Sequence, residues 1–391
     1  MDHDMDRISL LCADAPLYRL GMRPFYLLAA AFAALAVPAW LAAYLGAWPG
    51  APFGLAWHAH EMVFGFAGAV VAGFLLTAVQ NWTGLATPTG APLRALAVLW
   101  LAGRVAALGP PAVFALADSA FLFALAIVVL RLLLHADNRR NLPVFVVVLL
   151  LASCNASFHL ANLGLDALSP LAPVHAAILL LTLLIALVAG RVAPMFTRNG
   201  APGSRPRQSG KLDLAAMLAL AAAVLCHVSE APGAATAALA GLAALLHAIR
   251  FALWDPLATR RHPLLWSFHL SYALLVAGVA ALGLHALGLA GASTVYHLLG
   301  AGAMGGMVGA MITRTALGHT GRPLRAGVPD TVIYALLPAG ALARLAANLL
   351  VDQGRTHALL LSAACWSLAF LLYLWRYLPF LTRPRADGRP G

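Results

Sequence analysis

Long apolar stretches alternate with short polar joins along almost the whole chain. A membrane-crossing helix needs about 20 mostly apolar residues. Twelve stretches approach or exceed that length: residues 24–45, 57–80, 92–109, 111–134, 142–164, 171–193, 212–230, 233–254, 264–287, 293–313, 328–350 and 356–380. The joins carry the Gly and Pro that end helices, as in Trp48-Pro49-Gly50, Gly109-Pro110-Pro111 and Ala231-Pro232-Gly233. The pattern predicts an all-α polytopic membrane protein with a single transmembrane domain. A short N-terminal segment (1–23) precedes a twelve-helix bundle (24–380), and a tail (381–391) follows it.

The basic residues test the count. They fall before helix 1 (Arg7, Arg19, Arg23) and between helices 4 and 5 (Arg139, Arg140, with Arg131 just inside). Others lie between helices 6 and 7 (Arg198, Arg205, Arg207, Lys211), between 8 and 9 (Arg260, Arg261) and between 10 and 11 (Arg314, Arg322, Arg325). The last group, Arg383, Arg385 and Arg389, follows helix 12, and Arg355 alone breaks the alternation. Basic residues concentrate in cytoplasmic loops. The alternation therefore puts both termini in the cytoplasm.

Composition agrees with this reading. The 391 residues are 62% hydrophobic and 10% charged, against about 45–50% and about 25% in soluble domains. The net charge of +11 is the sign of topology, so nucleic acid is excluded as a partner and the lipid bilayer takes its place. Cys12, Cys154, Cys226 and Cys365 form no CxxC pair and read as buried thiols. The polar start shows no apolar segment followed by a small-residue cleavage site, so no removable signal peptide is expected. Histidines number 14, equal to Asp plus Glu, and histidine is the commonest metal ligand.

An internal repeat links some of those histidines. His60 and Thr83 are 23 residues apart, as are His297 and Thr320, and His175 and Asn199 are 24 apart. The three histidines open helices 2, 6 and 10, so the spacing predicts three quasi-repeated four-helix units.

The densest polar cluster inside a span is Trp57-His58-Ala59-His60-Glu61-Met62. An ionisable residue in a membrane helix marks a functional site by default, and Glu61 reads as the sole acid clearly within an apolar segment. On a regular helix His58 and Glu61 share a face while His60 points elsewhere. His58, His60, His159, His175 and His297 lie at a common depth near the outer surface. With His269 on helix 9 they form the candidate metal-ligand set. Glu61 and His175 are the candidate catalytic residues. A second polar constellation at the inner ends, Asn81, Trp82, Arg191, Arg314 and His319, joins Arg104 and Arg344 as candidate cofactor-binding groups. Arg forks match carboxylates such as haem propionates. Arg131 and Arg250 read as snorkelling to headgroups. His227, His247, His285 and His357 read as lacking polar company, and His3 and His135 as solvated.

Several segments together resemble the NnrS family. They are Gly21-Met22-Arg23-Pro24-Phe25-Tyr26, Trp57 through Gly65, Gly73 through Ala78 with Asn81-Trp82-Thr83-Gly84, Gly190-Arg191 through Asn199, and Arg314 through Pro323. Gln80 stands where the family pattern has Pro. The resemblance implies a multi-pass bacterial inner-membrane protein containing haem (b-type) and copper. It also implies a role in the nitric oxide response and in resistance to nitrosative stress. The architecture is similar to the catalytic subunit of haem–copper oxidases and nitric oxide reductases, with metal histidines on helices 2, 6, 7 and 10. The histidine pair of helix 7 and the second histidine of helix 10 are missing here, which argues against a complete binuclear centre.

On this basis His58 or His60 and His297 are expected as axial haem ligands. His175 with His159 or His269 would hold copper or a second metal. Glu61 would handle protons in an oxidoreductase reaction on nitric oxide, fed by a quinol or cytochrome. Two other readings stand beside this one. The first is a twelve-helix secondary transporter without metal, for which a twofold repeat would speak. The second is a metal or nitric oxide sensor, or a cofactor-delivery protein, without turnover.

Overall fold

The computed structural model describes Cys12 and residues 14–389; His3 and Arg7 lie outside the described residues. Twelve long helices carry the chain, and no strand occurs among the described residues. They are α1 (Met22–Tyr44), α2 (Leu55–Thr83), α3 (Gly90–Ala106), α4 (Pro111–His135), α5 (Leu142–Asn162) and α6 (Leu171–Gly200). The second six are α7 (Gly210–Val228), α8 (Gly233–Leu253), α9 (Pro263–Ala286), α10 (Ala292–His319), α11 (Val328–Ala346) and α12 (Asp352–Thr382).

Local chemistry sets the ends. Pro111, Pro143 and Pro263 sit in the first turns of their helices, where a missing N–H is harmless. Gly84 ends α2 at φ 71° and donates its N–H to the Gln80 carbonyl, a left-handed cap that glycine adopts without strain. Eleven of the twelve helices are long and apolar enough to cross a membrane. The exception, α3, has 17 residues and carries Arg94 and Arg104.

Outward faces of these helices present large apolar side chains, for example Leu35 (68% exposed) and Leu116 (76%). Water would make such faces costly, whereas lipid is as apolar as leucine. The protein is a polytopic membrane protein.

Contacts divide the chain into two compact units. Unit 1 comprises Met1–Ala177, Ile312–Leu324 and Phe370–Gly391; unit 2 comprises Ile178–Met311 and Arg325–Ala369. Periodicity places residues at depths along a span, but it does not say which helices pack together.

Two helices stand apart. The apolar window of α2 is 89% buried and that of α10 is 78% buried. Both contain a seven-residue π-helical stretch, Glu61–Ala67 in α2 and Leu298–Met304 in α10. Each stretch begins directly after a histidine, His60 or His297. π-segments are rare and concentrate at functional sites. The third histidine helix, α6, is an unbroken α-helix from Leu171 to Gly200.

Unit 2 is pinned by Arg250 of α8, which is 3% exposed. Its Nε donates to Asp213 Oδ1 of α7 (2.6 Å), and its Nη1 donates to the Ala186 carbonyl of α6 (2.9 Å) and to Tyr272 Oη of α9 (3.0 Å). His247 Nδ1 meets the same Tyr272 hydroxyl at 2.6 Å. Arg250 therefore does not snorkel. His247 has polar company after all, as do His227 (Tyr296 Oη, 3.0 Å) and His285 (Ala290 O, 2.8 Å). Their partners lie on other turns and helices, beyond the reach of local sequence.

Gly190 of α6 lies directly against this guanidinium, and a Cβ there would overlap Arg250 Nη2 and Cζ. Gly190→Ala is expected to destabilise the protein by about 1–3 kcal/mol through overpacking. Thermal unfolding in detergent measures this, and an unchanged midpoint would show that the guanidinium moves aside freely.

Candidate functional site

Unit 1 buries an ionic cluster built by α2, α3, α4 and α5. The π-turn after His60 breaks the 100° progression of α2, so the periodic assignment of faces fails here. His58 turns away and stacks on Trp40 of α1 (centroids 4.0 Å, 18°). His60 and Glu61, both 0% exposed, turn inward together, with Nδ1 of His60 3.1 Å from Glu61 Oε1. The Gly65 carbonyl inside the π-stretch accepts from Trp100 Nε1 of α3 (3.0 Å), so the irregular turn leaves that acceptor satisfied.

Arg104 of α3 bridges the two carboxylates. Its Nη1 donates to Glu61 Oε2 at 2.8 Å and its Nη2 pairs with Asp118 Oδ1 of α4. The guanidinium also lies near the rings of Trp100 (5.6 Å) and Phe32 (5.8 Å). Gly65 makes room for it, since a Cβ there would come within 2.6 Å of Glu61 Oε2 and 2.9 Å of Phe32 Cε1.

The other carboxylate oxygen, Asp118 Oδ2, gathers three partners. His159 Nε2 of α5 lies at 3.0 Å, His60 Nε2 at 3.1 Å, and Asn155 Nδ2 donates to it at 2.8 Å. The Asn155 carbonyl oxygen meets His60 Nε2 at 2.9 Å. Ligand atoms of His60, Asp118 and His159 all lie within 4.8 Å of one another, and all three residues are buried. Phe64, Phe114 and Phe158 surround the His60 ring at centroid distances of 5.0, 5.2 and 4.3 Å.

Two carboxylates thus face one guanidinium in a site closed to water. With both imidazoles neutral, the cluster carries one excess negative charge. A low-dielectric interior offsets such a charge only with a cation or a proton. His60 faces an oxygen at each ring nitrogen, so a proton or a metal ion can take the Nε2 side.

The structure corrects several sequence expectations. Glu61 is not the sole acid in a span, because Asp118 lies within α4, seven residues after Pro111, and is 3% exposed. Asp118 and Asn155 are the site residues that sequence reasoning missed. An aspartate inside an apolar run and an Asn–His pair four residues apart on α5 were the signals. Arg104 is held by the chain's own carboxylates, Glu61 and Asp118. His159 joins His60 and Asp118, and His175, half-buried on α6, lies outside that group.

The remaining candidates scatter. In unit 2, His269 Nε2 meets Thr197 Oγ1 at 2.9 Å. His297 Nδ1 meets the Ser293 carbonyl at 2.8 Å, and Arg344 donates to Ser293 Oγ (2.9 Å) and Asn348 Oδ1 (2.8 Å). Arg191 is exposed on α6. At the far end of α2, Asn81 is exposed and the Trp82 carbonyl accepts from Asn138 Nδ2 (2.7 Å). On α10, Arg314 is half-buried and the His319 carbonyl accepts from Arg385 Nη1 (3.0 Å).

The family description "NnrS protein" matches residues 16–385, nearly the whole chain. The chain belongs to the NnrS family. Membership makes it a membrane protein of the nitric oxide response. Nothing among curated proteins or solved structures matches it. Within this NnrS chain the WHAHEM segment supplies the first half of the cluster, and the apolar-looking α4 and α5 supply the rest.

Proposed function

We propose that this NnrS-family protein holds a first-row transition metal on His60, Asp118 and His159 and binds nitric oxide there. One observation carries the reading: three ligand atoms of suitable type converge in a buried site where ionic groups are otherwise expensive. Two of the contacts between them are 3.0 and 3.1 Å. That is about the separation of neighbouring ligands that each stand about 2 Å from one ion. Two imidazoles and one carboxylate suit copper(II), iron(II) or zinc.

Haem does not fit at His60. Its ring is 0% exposed, both nitrogens are engaged and three phenyl rings crowd it. A small ion is compatible with the same packing.

Roles follow from contacts. His60 and His159 supply Nε2, and Asp118 supplies a negative oxygen. Glu61 accepts from His60 Nδ1–H, the arrangement that fixes the tautomer of a metal-bound imidazole and raises its basicity. Arg104 holds both carboxylates in place and balances their charge. The three phenylalanines exclude water. When bound, copper or iron supplies a place for a diatomic ligand and an electron to exchange with it. Reduction would draw that electron from a quinol or cytochrome, with Glu61 as the nearest group able to move a proton. The bacterial inner membrane, with both termini cytoplasmic, is the location the basic loops support.

The test is elemental analysis and nitric oxide binding on the purified protein, beside His60→Ala and His159→Ala. Near-stoichiometric metal in the wild type, lost in both variants together with the nitric oxide signal, is expected. A metal-free wild type from metal-supplemented cells would sink the reading.

One observation favours a second reading, secondary transport without metal. The chain forms two compact units, each with a π-bent histidine helix segment, as repeat-built transporters do. Solute uptake by vesicles containing a metal-free wild-type protein would favour it.

A further inference from the structure

Two of the polar segments, Gly21 through Tyr26 and Arg314 through Pro323, take no part in the metal cluster. The fold brings both together with the C-terminal tail at a basic end of unit 1. Arg23, 0% exposed near the start of α1, donates from Nη1 to the Leu381 carbonyl (3.0 Å) and to the Arg383 carbonyl (2.8 Å). The tail is also tied to the exit of α10. Ala386 N–H donates to the Thr320 carbonyl at 3.0 Å, and Arg385 Nη1 donates to the His319 carbonyl at 3.0 Å. Arg322 Nη1 donates to the same Thr320 carbonyl at 3.1 Å, and its guanidinium lies 3.8 Å from the centre of the Phe380 ring.

These ties collect like charges. Arg23 lies within electrostatic reach of Arg19, Arg322 and Arg385, and Arg322 within reach of Arg383. Such a gathering costs energy unless an anion offsets it. Asp387 offsets Arg385, accepting from Nε (2.9 Å) and Nη2 (2.6 Å). Arg19 and Arg383 are exposed and Arg322 is half-buried. Among the described residues no carboxylate pairs with these three. Peptide carbonyls accept N–H groups without cancelling the charge. The C-termini of α10 and α12 each bring about half a negative charge, so about two positive charges stay unmatched.

An apolar stripe leads to this cluster. Leu371, Trp375 and Leu378 of α12 stand at i, i+4 and i+7, on one helix face. They are 50, 70 and 49% exposed. Tryptophan favours the headgroup level of a bilayer. A soluble anion would need the arginines alone, whereas the stripe beside them suits acyl chains.

We infer that this end of unit 1 binds an anionic phospholipid, its phosphate on Arg19, Arg322 and Arg383 and its acyl chains along Leu371, Trp375 and Leu378. Arg23 and Arg385 hold the three segments in register. A guanidinium meets a phosphate with two parallel N–H···O bonds, and basic pockets at the ends of membrane helices take such headgroups. The site involves neither the His60–Asp118–His159 cluster nor unit 2, so it stands apart from the metal reading.

The test uses full-length protein in detergent with three probes: cardiolipin, phosphatidylcholine and inorganic phosphate. Native mass spectrometry counts retained lipid, and the unfolding midpoint follows each titration. Cardiolipin is expected to raise the midpoint saturably, and the other two probes to leave it in place. Arg19→Gln/Arg383→Gln alters two exposed side chains and is expected to weaken cardiolipin binding about tenfold or more. Arg260→Gln/Arg261→Gln removes the same charge from an exposed loop of unit 2 and is expected to leave that affinity unchanged. If the first pair does not fold, Arg322→Gln is read in its place. Equal losses in the two double variants would mean a general attraction to basic loops and would overturn the inference. Stabilisation by phosphate as large as by cardiolipin would make the ligand a soluble anion and overturn it too, as would a cardiolipin titration that shows no saturation.

Discussion

Arg104→Gln is expected to destabilise the protein by about 3–5 kcal/mol, the usual consequence of removing one partner from a buried ion pair. The guanidinium is the cation in contact with both Glu61 and Asp118, and all three side chains are at most 5% exposed. Without it, two carboxylates stay in a site that water cannot reach. The paired variant Arg104→Gln/Glu61→Gln removes a charge of each sign and is expected to recover part of the loss. Arg104→Lys recovers less, because an ammonium cannot span two carboxylates as a planar fork does. Unfolding midpoints in detergent for the wild type, Arg104→Gln, Glu61→Gln and the paired variant form a double-mutant cycle. Additive losses, with no recovery in the pair, would mean that the contact between Arg104 and Glu61 contributes nothing.

Asp118→Asn is expected to reduce metal content at least about tenfold to a hundredfold. Even groups that only touch a ligand change affinity by that much. The substitution keeps the volume and removes the charge, so packing in α4 is little disturbed. Asp118 Oδ2 is also where His60, Asn155 and His159 converge, and the amide nitrogen cannot accept from all three. Metal binding by His60 and His159 requires both Nε2 atoms to be free of protons, so protons and metal compete. Affinity is expected to rise with pH, and binding is expected to release protons. Titration calorimetry in two buffers of different ionisation enthalpy measures that release. Metal that stays with Asp118→Asn would exclude this carboxylate as a ligand, and an affinity independent of pH would exclude the two imidazoles.

Much of the fold was legible because crossing a membrane is a local task. Each helix satisfies its own backbone, so length and hydropathy suffice to find it. The split between Ala106 and Pro111 was marked by Gly109-Pro110, and the structure places the break there. His60 and Glu61 stood out because ionisable residues in an apolar run are conspicuous. Asp118 was overlooked for the opposite reason: α4 is otherwise so apolar that one aspartate hardly changes its pattern. From sequence Arg104 read as a candidate cofactor-binding group and Arg250 as snorkelling to headgroups. The structure gives both a different partner, a carboxylate of the same chain.

The sequence by itself determined that this chain is an all-α membrane protein of the NnrS family, with its chemistry around Trp57 to Met62. Tertiary structure decided which polar groups meet. His60 reaches Asn155 across 95 positions, and Arg104 reaches Glu61 across 43. No periodicity encodes such pairs, because a helix fixes only its own faces. The π-turn that begins after His60 decided the rest, because it shifts register where His60 and Glu61 enter the ionic cluster.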